Sequence, residues 1–128
     1  MNEPIWVPKA AVIVIHDRQI ARHGGRPGTR DAALLESALS RAPHEYDYQE
    51  ADLFTCASAY AFGIVKAHAF VDGNKRTGFV TALTFLRLNG QDFSTDPISG
   101  ARMMEDLAAG GVGEDAFGQW LRDGASPV

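Results

Sequence analysis

The 128-residue sequence has a single cysteine, Cys56, so no disulfide can form within the chain. That inventory fits a reducing compartment. Excess positive charge is missing too. Lys and Arg number 12 against 16 Asp and Glu, for a net charge of −4, so bulk electrostatics give no drive toward nucleic acid or anionic membranes. There is no long apolar run near the start. Ala10–Ile15 is six residues, with Glu3 before it and His16-Asp17 after it. That is too short to span a membrane and has the wrong flanks for a signal peptide. Internal repeats, low-complexity tracts and linkers are absent as well, which leads us to expect one soluble intracellular domain over residues 1–128. A chain of this size can bury roughly two thirds of its unfolded surface and needs no staples.

What is present reads as helix. Pro8 suits the first turn of a helix running to about Arg22. "HGGRPG" (His23 to Gly28) breaks it. Asp31 is an N-cap candidate for "AALLESALSRA", where Leu34, Leu35, Ala38 and Leu39 recur at helical spacing, and Pro43 should end that helix. The polar stretch from His44 to Asp52 has no clear period and is expected to be a loop or a short flap hairpin. Leu53 to Ala67 is apolar nearly all round, as a central buried helix would be. "RTGFVTALTFLRLNG" predicts another, with Phe79, Ala82, Leu83 and Leu86 on one face and Asn89-Gly90 as its stop. Pro97 to Ala109 and Glu114 to Arg122 are two further helices, and the tail "GASPV" should fray. The expectation is an all-α bundle of about six helices.

Between the two apolar helices lies "HAFVDGNKR", His68 to Arg76, nine residues dense in polar chemistry. Gly73-Asn74-Lys75-Arg76 falls at a helix start, where unpaired N–H groups and the positive dipole end favour phosphate oxygens. Gly73 lets the backbone approach an anion closely, and Lys75 and Arg76 add fixed positive charge. His68 carries an imidazole, the side chain that exchanges a proton near neutral pH. Asp72 is a hard oxygen donor of the kind that holds Mg²⁺ together with substrate phosphates. Phe70, alternating with the polar residues, should anchor the loop in the core. A capped, solvated turn would account for these residues one at a time. Their conjunction favours a phosphate site with its own base.

The stretch resembles the signature of the Fic/Doc family, His-x-Phe-x-(Asp/Glu)-(Gly/Ala)-Asn-x-Arg. The likeness is greater to the death-on-curing (Doc) branch, which carries lysine before the arginine. "IHDRQIARHGGRPG", "ADLFTCASAYAFGIVKAHAF" and "NKRTGFVTALTFLRLNG" extend it over roughly residues 10 to 95. The resemblance implies His68 as catalytic base, Asp72 as the Mg²⁺-linked carboxylate, Gly73 and Asn74 as an anion loop, and Lys75 and Arg76 as phosphate ligands. It implies ATP and Mg²⁺ as cofactors and transfer of the γ-phosphate to a threonine of elongation factor Tu in the bacterial cytoplasm. A Phd-type antitoxin is the implied inhibitor, since the family's self-inhibitory pattern, Ser/Thr-x-x-x-Glu-(Gly/Asn), is absent. Fic enzymes that transfer AMP usually have glycine where Lys75 stands and a second arginine where Phe79 stands. Both departures favour the kinase over the AMP-transferase. Gly73, by contrast, matches Fic rather than the alanine common in Doc. A third possibility is a non-catalytic nucleotide-binding protein, which has no need of both His68 and Asp72.

Other features carry less. His16-Asp17 has the form of a metal-dependent phosphohydrolase core, but His23, His44 and His68 supply no helical i, i+4 partner. His16 is expected to pack and hydrogen-bond instead. Arg18, Arg22, Arg26 and Arg30 recur every four residues, yet "GGRPG" interrupts any stripe, which leaves a solvated face. Tyr46 and Tyr48 suit either a target-holding flap or plain loop positions. Met103 and Met104 should pack, and Cys56 should be buried and inert.

Overall fold

In the computed structural model, which describes residues 3–128, six helices follow one another: α1 (Lys9–His23), α2 (Ala32–Gln49), α3 (Leu53–Ala67), α4 (Asn74–Leu88), α5 (Pro97–Ala109) and α6 (Glu114–Asp123). Two short strands, β1 (Gln91–Phe93) and β2 (Ala125–Pro127), complete the described residues, so the all-α expectation holds. Met1 and Asn2 lie outside the described residues. Among these residues no helix is long and apolar enough to cross a membrane.

The most apolar segment is the centre. From Cys56 to Val65, α3 is buried at every position except Phe62, and α2, α4 and α6 pack around it. Small residues permit the close approaches. A β-carbon on Gly63 would stand 2.9 Å from the Ala38 carbonyl oxygen of α2, and one on Gly78 of α4 would stand 3.1 Å from that of Ala61. Burial pushes the Cys56 thiol up to about 12, with Asp52 and Glu45 adding to it, so it remains an inert thiol. Ahead of α1 the chain is pinned to the same core. Tyr60 accepts a hydrogen bond from the Val7 N–H (3.0 Å), and Trp6 stacks on Phe85 with centroids 5.5 Å apart.

Two expectations fail here, both for tertiary reasons. The stretch expected as a loop or flap hairpin near 44–52 is helical as far as Gln49, with Pro43 inside α2. A proline there removes one backbone hydrogen bond and crowds the preceding turn. Packing overrides that cost. Ala42 is buried, and Tyr46 continues the Leu35, Ala38, Leu39 stripe to meet Trp6 edge-on at 5.9 Å. The tail does not fray either. Ala125–Pro127 pairs antiparallel with Gln91–Phe93, and the Val128 N–H donates to the Gly90 carbonyl (3.0 Å). In α4 the buried face runs through Thr77, Thr81, Ala82, Phe85 and Leu86, with Phe79 and Leu83 on its flank.

The glycines give a paired prediction. Gly63→Ala gains helix propensity but drives a methyl into the backbone of α2, and the clash with a carbonyl outweighs that gain. We expect a net loss of about 1–2 kcal/mol. On α6, Gly118→Ala would meet only ordinary contacts, the nearest at 3.5 Å. It should gain about 0.5–1 kcal/mol from propensity alone. Urea denaturation midpoints, shifted down in the first variant and up in the second, check both.

Candidate active site

The chain turns from α3 to α4 through residues 68–73, and both ends of that turn are left-handed. His68 caps α3 at φ 51°, ψ 46°, and Gly73 caps α4 at φ 75°, ψ 18°. Glycine adopts this conformation freely, whereas a residue with a β-carbon meets a cost of about 1–2 kcal/mol. Left-handed non-glycine residues persist only where surroundings over-determine them.

The surroundings do so from three sides. Asn74, at the start of α4, is buried, and its amide closes a ring with Phe70. It accepts from the Phe70 N–H (3.1 Å) and donates to the Phe70 carbonyl (3.0 Å). Phe70 is fully buried and lies flat on the His16 ring, with centroids 3.9 Å apart and planes within 7°. His16 is 1% exposed, and its Nε2–H donates to the Asp72 carbonyl (2.8 Å), which fixes the tautomer because a carbonyl can only accept. The segment after α1 forms the third side. Thr29 bridges to Phe70, the Val71 N–H donates to the Gly28 carbonyl, and the Arg30 and Asp31 N–H groups both donate to the Ala69 carbonyl.

Beside the braced turn opens a cleft of about 840 Å³. His68, Asp72, Lys75 and Arg76 line it, together with Phe79 further along α4 and Pro97, Met104 and Glu105 of α5. The N–H groups of Asn74, Lys75 and Arg76 open into the first turn of α4, where they have no partner within the helix. Such a turn, with two cations beside it, can hold an anion. Asp72 accepts from the Arg26 N–H (3.2 Å) and the Gly73 N–H (2.9 Å). These two bonds, aided by the charges of Arg76 and Arg26, hold its carboxyl below the usual carboxylate range, so it is ionised at neutral pH. Lys75 reaches across the cleft to Glu105 (2.8 Å), and Arg76 donates to the Gly24 carbonyl (3.0 Å).

The site also recruits residues from outside the signature. His16 packs and hydrogen-bonds as expected, and it does so as a buried brace under the turn. The four-residue spacing groups Arg30 with a solvated face, but its Nε–H donates to the His68 carbonyl (2.8 Å) and its Nη2–H to that of Ala67 (3.3 Å). Glu105 faces Lys75 from a helix thirty positions along the chain. No local period marks any of these pairings, which exist only once the helices meet. Among the described residues no cluster of three His, Cys, Asp or Glu side chains could hold a metal by itself.

Comparison with known proteins places the chain in a family. The model of the Fic/DOC family matches residues 6–86, from ahead of α1 almost to the end of α4. The protein kinase doc of Escherichia phage P1 is 38% identical over 87 residues, covering 67% of this chain and 69% of that protein. The toxin Doc of Mycolicibacterium smegmatis is 37% identical over 75 residues, covering 57% of this chain and 58% of that protein. With the His68–Arg76 turn inside the matched region, the chain belongs to the Fic/DOC family.

Proposed function

We propose that this chain is an ATP-dependent protein kinase of the Doc type. It would transfer the γ-phosphate to a threonine hydroxyl of elongation factor Tu in the bacterial cytoplasm and so block protein synthesis. The observation that carries the reading is the convergence of His68, Asp72 and the open first turn of α4 on one cleft. The relatives' names, a protein kinase and a toxin, support it. A Phd-type antitoxin would restrain the toxin, which contains no self-inhibitory pattern of its own.

In this reading the phosphates lie over the N–H groups of Asn74, Lys75 and Arg76, with the Lys75 and Arg76 side chains neutralising their charge. Such positioning and charge stabilisation account for most of the catalysis in phosphoryl transfer. The imidazole of His68 accepts the proton of the target hydroxyl. The hydroxyl oxygen bonds to the γ-phosphorus, the bond to the β–γ bridging oxygen breaks, and ADP leaves. The donor set fits Mg²⁺, because Asp72 is one ionised carboxylate and that ion completes its shell with phosphates and water. Bound there, Mg²⁺ would neutralise charge on the phosphates.

Two residues favour the kinase over AMP transfer. The Lys75 side chain occupies the space that glycine leaves open in AMP-transferases and pairs with Glu105. Phe79 offers no anion clamp. It sits among aromatic rings, 6.2 Å from that of Phe93 and 6.1 Å from that of Trp120.

The first test is incubation with elongation factor Tu, Mg²⁺ and ATP labelled at the α- or the γ-phosphate. Label should enter from the γ-position alone and fall on the order of 10²–10⁴-fold in His68→Ala, the usual contribution of a positioned base. Label from the α-position would instead make the protein an AMP-transferase, and no label from either would overturn the proposed target. A second test uses Asp72→Asn. The Mg²⁺ concentration giving half-maximal transfer should rise roughly tenfold or more, since even outer-shell metal contacts are worth that much. An unchanged Mg²⁺ requirement would remove Asp72 from the metal site.

A further inference from the structure

We propose that Arg30 is a positioning residue for His68, a guanidinium clamp on the end of α3 that fixes the region the imidazole can reach. The proposal rests on the reading of His68 as the proton acceptor. Three observations carry it.

The first is the conformation to be held. The left-handed residue after a helix is most often glycine, because it has no β-carbon to clash. Here the chain places a histidine there, at φ 51°. Its own N–H donates to the Ile64 carbonyl (3.2 Å), which closes the last turn but leaves the final carbonyls unpaired within the helix.

The second is where Arg30 directs its donors. Nε–H donates to the His68 carbonyl at 2.8 Å, and Nη2–H to the Ala67 carbonyl at 3.3 Å. Both acceptors lie at the negative end of the α3 dipole, where a cation is favoured. A planar guanidinium can bridge two successive carbonyls in one orientation, and an ammonium cannot hold both with the same geometry. By fixing the peptide planes on either side of the His68 α-carbon, the fork fixes the direction of its Cα–Cβ bond, and with it the region that the imidazole can reach.

The third is that the clamp has a firm footing. The Arg30 N–H donates to the Ala69 carbonyl at 2.7 Å, and Asp31 next to it caps α2 through the Leu34 N–H at 3.0 Å. The carbonyls of Ala67, His68 and Ala69 thus all accept from residues 30–31. Arg30 does not line the cleft, so it would act through His68 and not on substrate.

The test compares Arg30→Met and Arg30→Lys with the unsubstituted full chain. Transfer from γ-labelled ATP gives kcat and KM, and NMR gives the His68 amide-to-α-proton coupling, which reports φ. We expect Arg30→Met to lower kcat on the order of 10²-fold, the size of a misplaced reacting group, while KM for ATP stays unchanged. Arg30→Lys should recover part of the loss. The His68 coupling should leave its left-handed value in Arg30→Met. An unchanged kcat, or a KM that rises in step with its fall, would overturn the proposal, as would a coupling identical in all three proteins. If the unsubstituted protein transfers no phosphate, the kinase reading falls. The coupling alone then decides whether Arg30 sets the His68 backbone. Should Arg30→Met fail to fold, Arg30→Lys carries the same comparison.

Discussion

The turn between α3 and α4 is the constraint from which the rest of the structure follows. Both helices are buried in the same core, so neither can shift to relax the connection between them. The chain must reverse in residues 68–73, with left-handed conformations at His68 and Gly73. Gly73 takes its place without steric penalty, and His68 does not. Everything around the turn serves to hold it: Asn74 on Phe70 from one side, His16 beneath, and the segment 28–31 along the edge. A left-handed residue that is neither glycine nor asparagine, placed at the lip of a cleft, is the kind of stored strain found at functional sites.

That arrangement divides the labour among the side chains. Phe70 and Asn74 turn inward and are engaged in packing and hydrogen bonds, so Asn74 contributes its backbone N–H and not its amide to the cleft. His68, Asp72, Lys75 and Arg76 border the cleft. The local charge is balanced rather than simply positive, because Asp72 sits among N–H donors and Glu105 faces Lys75. An anionic ligand entering the cleft would compete with Glu105 for Lys75, an ion pair exposed enough to give way at little cost.

Much of this was legible in the sequence where the signal is local. The apolar stretch Leu53 to Ala67, the Asp31 cap, the Asn89-Gly90 stop and the start of α4 at the signature all follow from periodicity and capping chemistry. Pro43 misled because a local rule, that proline ends helices, lost to the packing of Ala42 and Tyr46 around and beyond it. The continued stripe from Leu35 through Tyr46 was the available sign. The β1–β2 pairing was hidden because two three-residue segments far apart in the chain are too short to show alternation. His16, Arg30 and Glu105 were visible as residue types but not as partners. Their roles arise from contacts between elements 30 to 56 positions apart in the chain.

The braces on the turn end mostly on main-chain atoms: the carbonyls of Ala67, His68, Ala69 and Asp72, and both peptide groups of Phe70. Backbone is common to every residue type. The outward position Val71, whose N–H alone is engaged, can therefore change its side chain through evolution without loosening the scaffold. A lineage could vary the surface beside the turn in small steps while the side chains that line the cleft keep their places, separating change in that surface from change in the cleft itself.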